Sequence, residues 1–297
     1  MEEKLGFIGL GAMGQPMSRR LLEAGYKLVV YDLRKEAVQA VVAQGAEEAL
    51  SAKEVAEKCR RVITIVPNSE VVEQVIFGPE GLLQGNRADD ILIEMTSAYP
   101  PSTLKVYRAL ASKGVLMIDA PVSGGVVGAE AGTLSIMVGG EEKVFEACRP
   151  ILSVLGKNFF YMGGIGSGHA VKAINNFLSA TTLAATSEAV ILASKLGLSP
   201  QRVIEVLQVS TGRSYSTELK FPKFVLPRTF NSGFTIDLMY KDIETVTRMA
   251  REYKIPMFLA NMVQQIFGCA MIQVGEKGDH TAIFAYLEDW AKGKKGD

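Results

Sequence analysis

Lys172 and Asn176 stand four positions apart in Gly166-Ser167-Gly168-His169-Ala170-Val171-Lys172-Ala173-Ile174-Asn175-Asn176, at the start of a long apolar run. Side chains at i and i+4 share one face of a helix, so an ammonium and an amide would project together from an element whose packing calls for neither. Desolvation disfavours the charged form of a lysine and draws its pKa towards neutrality, which suits a group that hands a proton to an oxygen and takes it back. The same spacing also fits a lysine at a helix start that points into water. A second cluster, Asp119-Ala120-Pro121-Val122-Ser123-Gly124-Gly125, follows a strand-like run. Its serine hydroxyl and consecutive glycine N–H groups can cradle a carboxylate, although a tight loop without a ligand has the same composition. The chain has two histidines, His169 and His280, neither within an HExxH pattern nor beside a second ligand at helical spacing. No metal site is expected from them.

A third constellation lies at the N-terminus, where Leu5-Gly6-Phe7-Ile8 runs into Gly9-Leu10-Gly11-Ala12-Met13-Gly14. In GxGxxG directly after a strand and before a helix, Gly9 makes a tight turn, Gly11 lets the backbone approach a pyrophosphate closely, and Gly14 allows helix–strand packing. A phosphate then lies on the N–H groups of a helix N-terminus, where the macrodipole favours negative charge. The next strand-like run, Leu28–Tyr31, ends in Asp32, at about the 20-residue spacing of the carboxylate that binds the adenine ribose hydroxyls. Strand, glycines, helix, strand and acid together point to a dinucleotide. The charge of Asp32 would repel a 2′-phosphate, which favours NAD over NADP, while Arg34 is expected to be a solvated loop charge that could accommodate that phosphate only by swinging inward. Tyr31 and Lys35 make a YxxxK spacing, but on the adenine side, where it has no part in proton transfer.

These groups need elements to hold them. From Met1 to about Tyr161, apolar runs at Leu5–Ile8, Leu28–Tyr31, Val62–Val66, Ile91–Glu94, Val115–Ile118, Leu134–Val138 and Asn158–Tyr161 alternate with helix-sized amphipathic segments. That alternation predicts an α/β fold with a mostly parallel sheet covered on both faces, whose C-terminal strand ends bind ligands. After Gly168 the strand-like runs stop and helical periodicity continues through Lys195, Pro200–Val209, Ile236–Tyr253 and Pro256–Val274. The expected organisation is a Rossmann domain over residues 1–163, then an all-helical domain over 164–297 joined to it by a long helix. A chain of 297 residues suits two domains. Its 32 basic and 32 acidic side chains balance, which removes any bulk electrostatic reason to expect nucleic acid or an anionic membrane as partner. Cys59, Cys148 and Cys269 lack CxxC spacing, and Glu2 and Glu3 do not suit a signal peptide, so a reducing, cytoplasmic setting is expected. The apolar stretch from Ala173 to Leu192 is interrupted by Asn175, Asn176, Thr181, Thr182 and Glu188 and is expected to be a buried helix rather than a membrane span. The apolar excess of the helical half predicts a homo-oligomer.

In order, these stretches resemble the β-hydroxyacid dehydrogenase family, which includes 3-hydroxyisobutyrate dehydrogenase, tartronate semialdehyde reductase and 2-(hydroxymethyl)glutarate dehydrogenase. Gly9–Gly14 matches the N-terminal signature, Asp119–Gly125 the substrate loop, Gly166–Asn176 the catalytic helix and Phe234–Asp242 the C-terminal segment. The resemblance implies that Lys172 is the acid/base and that Ser123, Gly124, Gly125 and Asn176 hold a small carboxylate substrate. It also implies that Val66, Pro67, Thr96 and Lys241 lie along the cofactor. Relatives that decarboxylate 6-phosphogluconate carry histidine where this chain has Asn175, imine reductases of the same shape usually replace the lysine, and NADP-dependent members often have Asn-Arg where this chain has Asp32-Leu33. The resemblance therefore implies an NAD-linked enzyme that interconverts a β-hydroxyacid and its semialdehyde. Thr211-Gly212-Arg213-Ser214-Tyr215 resembles the corresponding segment of 2-(hydroxymethyl)glutarate dehydrogenase, where Arg213 could contact a second carboxylate. The alternatives are a non-catalytic dinucleotide-binding sensor or scaffold, and an imine reductase.

Overall fold

In the computed structural model, which describes residues 4–292, the first half of the chain builds one sheet. Its strands among the described residues are β1 (Lys4–Ile8), β2 (Lys27–Tyr31), β3 (Glu47–Glu48), β4 (Arg61–Thr64), β5 (Ile91–Glu94), β6 (Leu116–Asp119), β7 (Val122–Ser123), β8 (Leu134–Gly140) and β9 (Gly156–Gly163). The order is β3-β2-β1-β4-β5-β6-β8-β7, with β9 on β8. Pairing is parallel from β3 through β6 and again between β8 and β9, and antiparallel where β8 meets β6 and β7. Side chains alternate between faces along a strand. Phe7, Val30, Ile63, Ile93 and Ile118 therefore pack in one core, and Ile8, Val29, Val62, Leu92 and Met117 in another on the opposite face. This is why the strands read as continuous apolar runs, as both faces are covered by helices. The expected α/β architecture with a mostly parallel sheet is present.

The chain divides into two compact units between Lys172 and Ala173, inside the helix Ser167–Lys195. The second unit is helical: beyond that helix it contains Pro200–Gln208, a π-helical segment Ser216–Val225, Ile236–Glu252, Phe258–Val274, a short turn of 3₁₀ helix and Ile283–Lys292. Its core joins Ala180, Leu183, Ala184 and Val190 to Phe221, Ile243, Phe267 and Ile283. Ser167–Lys195 is long and apolar enough to cross a membrane, but these four buried residues make it a core helix of its unit.

Candidate active site

Strand β1 delivers the chain into a turn that only glycine permits at two positions. Gly9 has φ of +98°, and a Cβ there would lie 2.1 Å from the Ile65 carbonyl oxygen; one on Gly14 would lie 1.9 Å from that of Gly9. At Gly11 the nearest atom to a Cβ is the Arg34 guanidinium at 4.0 Å, so this face of the loop is open to a ligand. No side chain caps the helix Gly14–Glu23, whose N-terminus is left for an anion. The residues present fit a dinucleotide.

Asp32 follows β2 and is only 11% exposed at its side chain. Its carboxylate accepts the Leu10 N–H at 2.7 Å and the Arg34 N–H at 2.8 Å, and Arg34 Nε lies 3.1 Å away. Burial alone would raise the Asp32 pKa, but these hydrogen bonds and the guanidinium charge outweigh it and hold the group below its ordinary value. Arg34 is the exposed loop charge expected, 58% exposed at its side chain, but it is turned inward, and its Nη2 also donates to the Leu10 carbonyl at 3.0 Å. The side chain folds back because a carboxylate this enclosed draws the nearest cation.

The remaining strands of the parallel sheet end on the same edge. Val66 and Pro67 follow β4 and Thr96 follows β5, and the Thr96 hydroxyl accepts the Val66 N–H at 3.1 Å. At the end of β6 the buried Asp119 carboxylate accepts the Gly166 N–H at 2.7 Å and the His169 N–H at 2.9 Å. The first turn of the helix carrying Lys172 is thereby held on a strand end, and Lys172 is buried one turn further on. Ser123 closes β7, opposite Ser135 of β8. Gly124 and Gly125, both exposed, lead from it into the helix Gly125–Ala131.

In the second unit Asn176 is buried, and its Nδ2 donates to Asp242 Oδ2 at 2.5 Å, while its Oδ1 accepts from Asn175 at 3.1 Å. Asp242 Oδ1 also lies 3.1 Å from the Lys241 ammonium. Two residues expected on substrate and cofactor thus share one carboxylate. Arg213 is not gathered with them; it is 66% exposed at its side chain and its Nε lies 3.2 Å from Glu218.

Residues 4–163 match the family described as the NAD binding domain of 6-phosphogluconate dehydrogenase. Residues 166–287 match one described as the NAD-binding of NADP-dependent 3-hydroxyisobutyrate dehydrogenase. The 2-(hydroxymethyl)glutarate dehydrogenase of Eubacterium barkeri is 44% identical over 264 residues, 89% of this chain and 88% of that relative. The 3-hydroxyisobutyrate dehydrogenase of Pseudomonas aeruginosa is 38% identical, over 98% of this chain and 99% of its own length. The chain belongs to the β-hydroxyacid dehydrogenase family. It is an NAD(P)-dependent oxidoreductase that acts on the CH–OH group of a hydroxyacid. Among solved structures, the Mycobacterium tuberculosis 3-hydroxyisobutyrate dehydrogenase with L-serine superposes with a TM-score of 0.89 at 31% identity, covering 97% of this chain and 99% of that one.

Sequence reasoning did not single out Glu94, His169 and Asp242 as members of the dehydrogenase's polar framework. Asp242 had a signal, since it adjoins Lys241; the other two had none, because they meet only when β5 and the long helix are placed. Among the described residues, no group of three His, Cys, Asp or Glu side chains is arranged to hold a metal ion.

Proposed function

We propose that the enzyme oxidises a small β-hydroxyacid to its semialdehyde and runs the reverse reduction, with Lys172 as the general acid/base. The observation that carries this is the burial of Lys172 one turn into a helix whose start is bound by Asp119 at the end of β6. When bound, the nicotinamide accepts or returns the hydride. Lys172 takes the proton of the substrate hydroxyl as the C–H bond breaks and gives it back to the carbonyl oxygen on reduction. Ser123, Gly124, Gly125 and Asn176 hold the substrate, its carboxylate on the glycine N–H groups. Val66, Pro67, Thr96 and Lys241 lie along the cofactor, and Gly9–Gly14 with Asp32 take the pyrophosphate and ribose of NAD.

Residues 1–163 serve as the cofactor domain and 164–297 as the substrate and oligomerisation domain of a cytoplasmic homodimer or homotetramer. The substrate resembles 2-(hydroxymethyl)glutarate, 3-hydroxyisobutyrate or tartronate semialdehyde, the first favoured by the 44% identity of its dehydrogenase. The surface pairing of Arg213 with Glu218 gives no support to a second-carboxylate role for that arginine.

The test is NAD+ reduction with 2-(hydroxymethyl)glutarate, 3-hydroxyisobutyrate and L-serine, and NADH oxidation with tartronate semialdehyde and a cyclic imine, on wild type and Lys172→Ala. Losing an acid/base group should lower kcat by about 10²–10⁴-fold while the dissociation constant for NAD+ barely moves. Lys172→Ala with more than about a tenth of wild-type kcat would mean that another residue carries the proton. Turnover of the imine in place of every hydroxyacid would favour the imine reductase reading.

A further inference from the structure

Below the N-terminus of the helix bearing Lys172 lies a buried acid–imidazole chain that proton transfer does not use. Glu94, at the end of β5, is 1% exposed, His169 is 1% exposed and Asp119 is fully buried. Glu94 Oε1 accepts the Thr96 N–H at 2.9 Å, and its Oε2 lies 2.9 Å from His169 Nε2, in ion contact without an aligned hydrogen bond. The other ring nitrogen, Nδ1, is 2.7 Å from the Thr103 hydroxyl, which itself lies 3.3 Å from the Tyr99 carbonyl as donor. With the hydroxyl proton given to Tyr99, Nδ1 must donate, and with Nε2 facing a carboxylate the ring carries both protons. Burial pushes the His169 pKa down, but Glu94 and Asp119 outweigh it and the net direction is up, as an imidazolium between two carboxylates requires.

The chain has a direction. It begins at the Val66 N–H, passes through the Thr96 hydroxyl and amide to Glu94, crosses to His169, and ends on the backbone of the helix that presents Lys172 three residues later. Gly168 makes the crossing possible, because a Cβ there would lie 2.4 Å from the Met137 carbonyl and 2.9 Å from Asp119 Oδ2. A buried ion pair is often no more stabilising than an apolar pair of the same volume, so stability alone gives no reason for one here.

We propose that Glu94 and His169 form a buried clamp that fixes the first turn of the catalytic helix, and so Lys172, to the loop at Val66 and Thr96 where the cofactor is read. The inference rests on the acid/base reading of Lys172. Both are positioning residues, and the clamp sets where the ammonium stands relative to the bond being broken.

The experiment is a double-mutant cycle in the full chain: Glu94→Gln and His169→Gln, each alone and combined with Lys172→Ala, using whichever of 3-hydroxyisobutyrate and 2-(hydroxymethyl)glutarate turns over faster. A misplacement on the ångström scale costs up to about 10²-fold, so each clamp variant should lower kcat by between about tenfold and 10²-fold while Lys172 is present. In the Lys172→Ala background the further loss should stay within about twofold, as should the change in affinity for ADP-ribose, which probes the adenine half alone. Equal losses in both backgrounds overturn the inference, as does a fall in ADP-ribose affinity matching the fall in kcat. Should neither variant fold, Thr103→Val, which removes the hydroxyl's contacts to Nδ1 and to the Tyr99 carbonyl, must show the same dependence on background; unchanged kcat in that variant overturns the clamp. Wild-type kcat from Lys172→Ala sinks the acid/base reading itself, and that result is separate from the cycle.

Discussion

At the residue scale, Asp32 is expected to decide between two cofactors through a partner that it already holds. Its carboxylate accepts N–H groups from Leu10 and Arg34 and ion-pairs with the Arg34 guanidinium. A ribose 2′-hydroxyl can join this arrangement as a donor, whereas a 2′-phosphate would meet the carboxylate first and find the guanidinium engaged. NAD+ should therefore give the higher kcat/KM in the unmutated enzyme. Asp32→Ala removes the acceptor and releases Arg34, so kcat/KM should fall with NAD+ by about 10–10²-fold, the worth of hydrogen bonds to a charged group. With NADP+ it should rise. Steady-state kinetics with both cofactors checks this, and an unchanged NAD+/NADP+ ratio in Asp32→Ala would remove Asp32 as the selector.

At the scale of the element, the helix Phe258–Val274 has 17 residues and no charged one. A helix on a free surface normally carries a polar face, yet this one exposes Phe258, Leu259, Met262 and Ile272 at between 62% and 87%. Covering that face with a second copy is the economical solution, and sedimentation at micromolar concentration should give at least a dimer mass. Met262→Asp, placed on the exposed face and away from the core, should shift the distribution towards monomer without lowering the thermal midpoint of the monomer; an unmutated protein that sediments as a monomer refutes the idea. Elements of this length were legible in sequence, because an apolar run or a helical period repeats often enough to stand out. β3 and β7 were not, as two residues each contain no period, and Ser216–Val225 hides behind its internal Pro222. The site divides the same way. Gly9–Gly14, Ser123–Gly125 and Lys172 are written as local spacings, while the Glu94–His169 contact and the Asn176–Asp242 bond, 66 positions apart for the latter, are products of tertiary packing that no local pattern encodes.

At the scale of the whole molecule, the two histidines should set opposite pH responses in the two units. His280 in the second unit is pushed down to about 3, chiefly by burial and then by the Lys220 charge, with Asp279 opposing. Its unfolded form takes up a proton below about 6.5 that the folded form refuses, so stability falls as the pH drops from there, by on the order of 1 kcal/mol per unit. His169 in the first unit is raised from 6.5 because Glu94 and Asp119 overcome its desolvation. Its contribution is complete below that value and is lost as the pH rises through the folded pKa. The lowered carboxylates, Asp32, Asp237, Asp279 and Glu288 among them, hold their contribution above ordinary values of 3.8 and 4.5, so pH 5 isolates the histidine effect from theirs. Segment-resolved hydrogen exchange, corrected for intrinsic rate, should show the helix Ile283–Lys292 losing protection between pH 7 and pH 5, and β5 and β6 losing it as the pH rises above 6.5. His280→Gln should abolish the acid response of the second unit and leave the alkaline response of the first untouched. If both units lose protection in the same direction, or if His280→Gln keeps the acid sensitivity, the histidines are not the groups that set these responses.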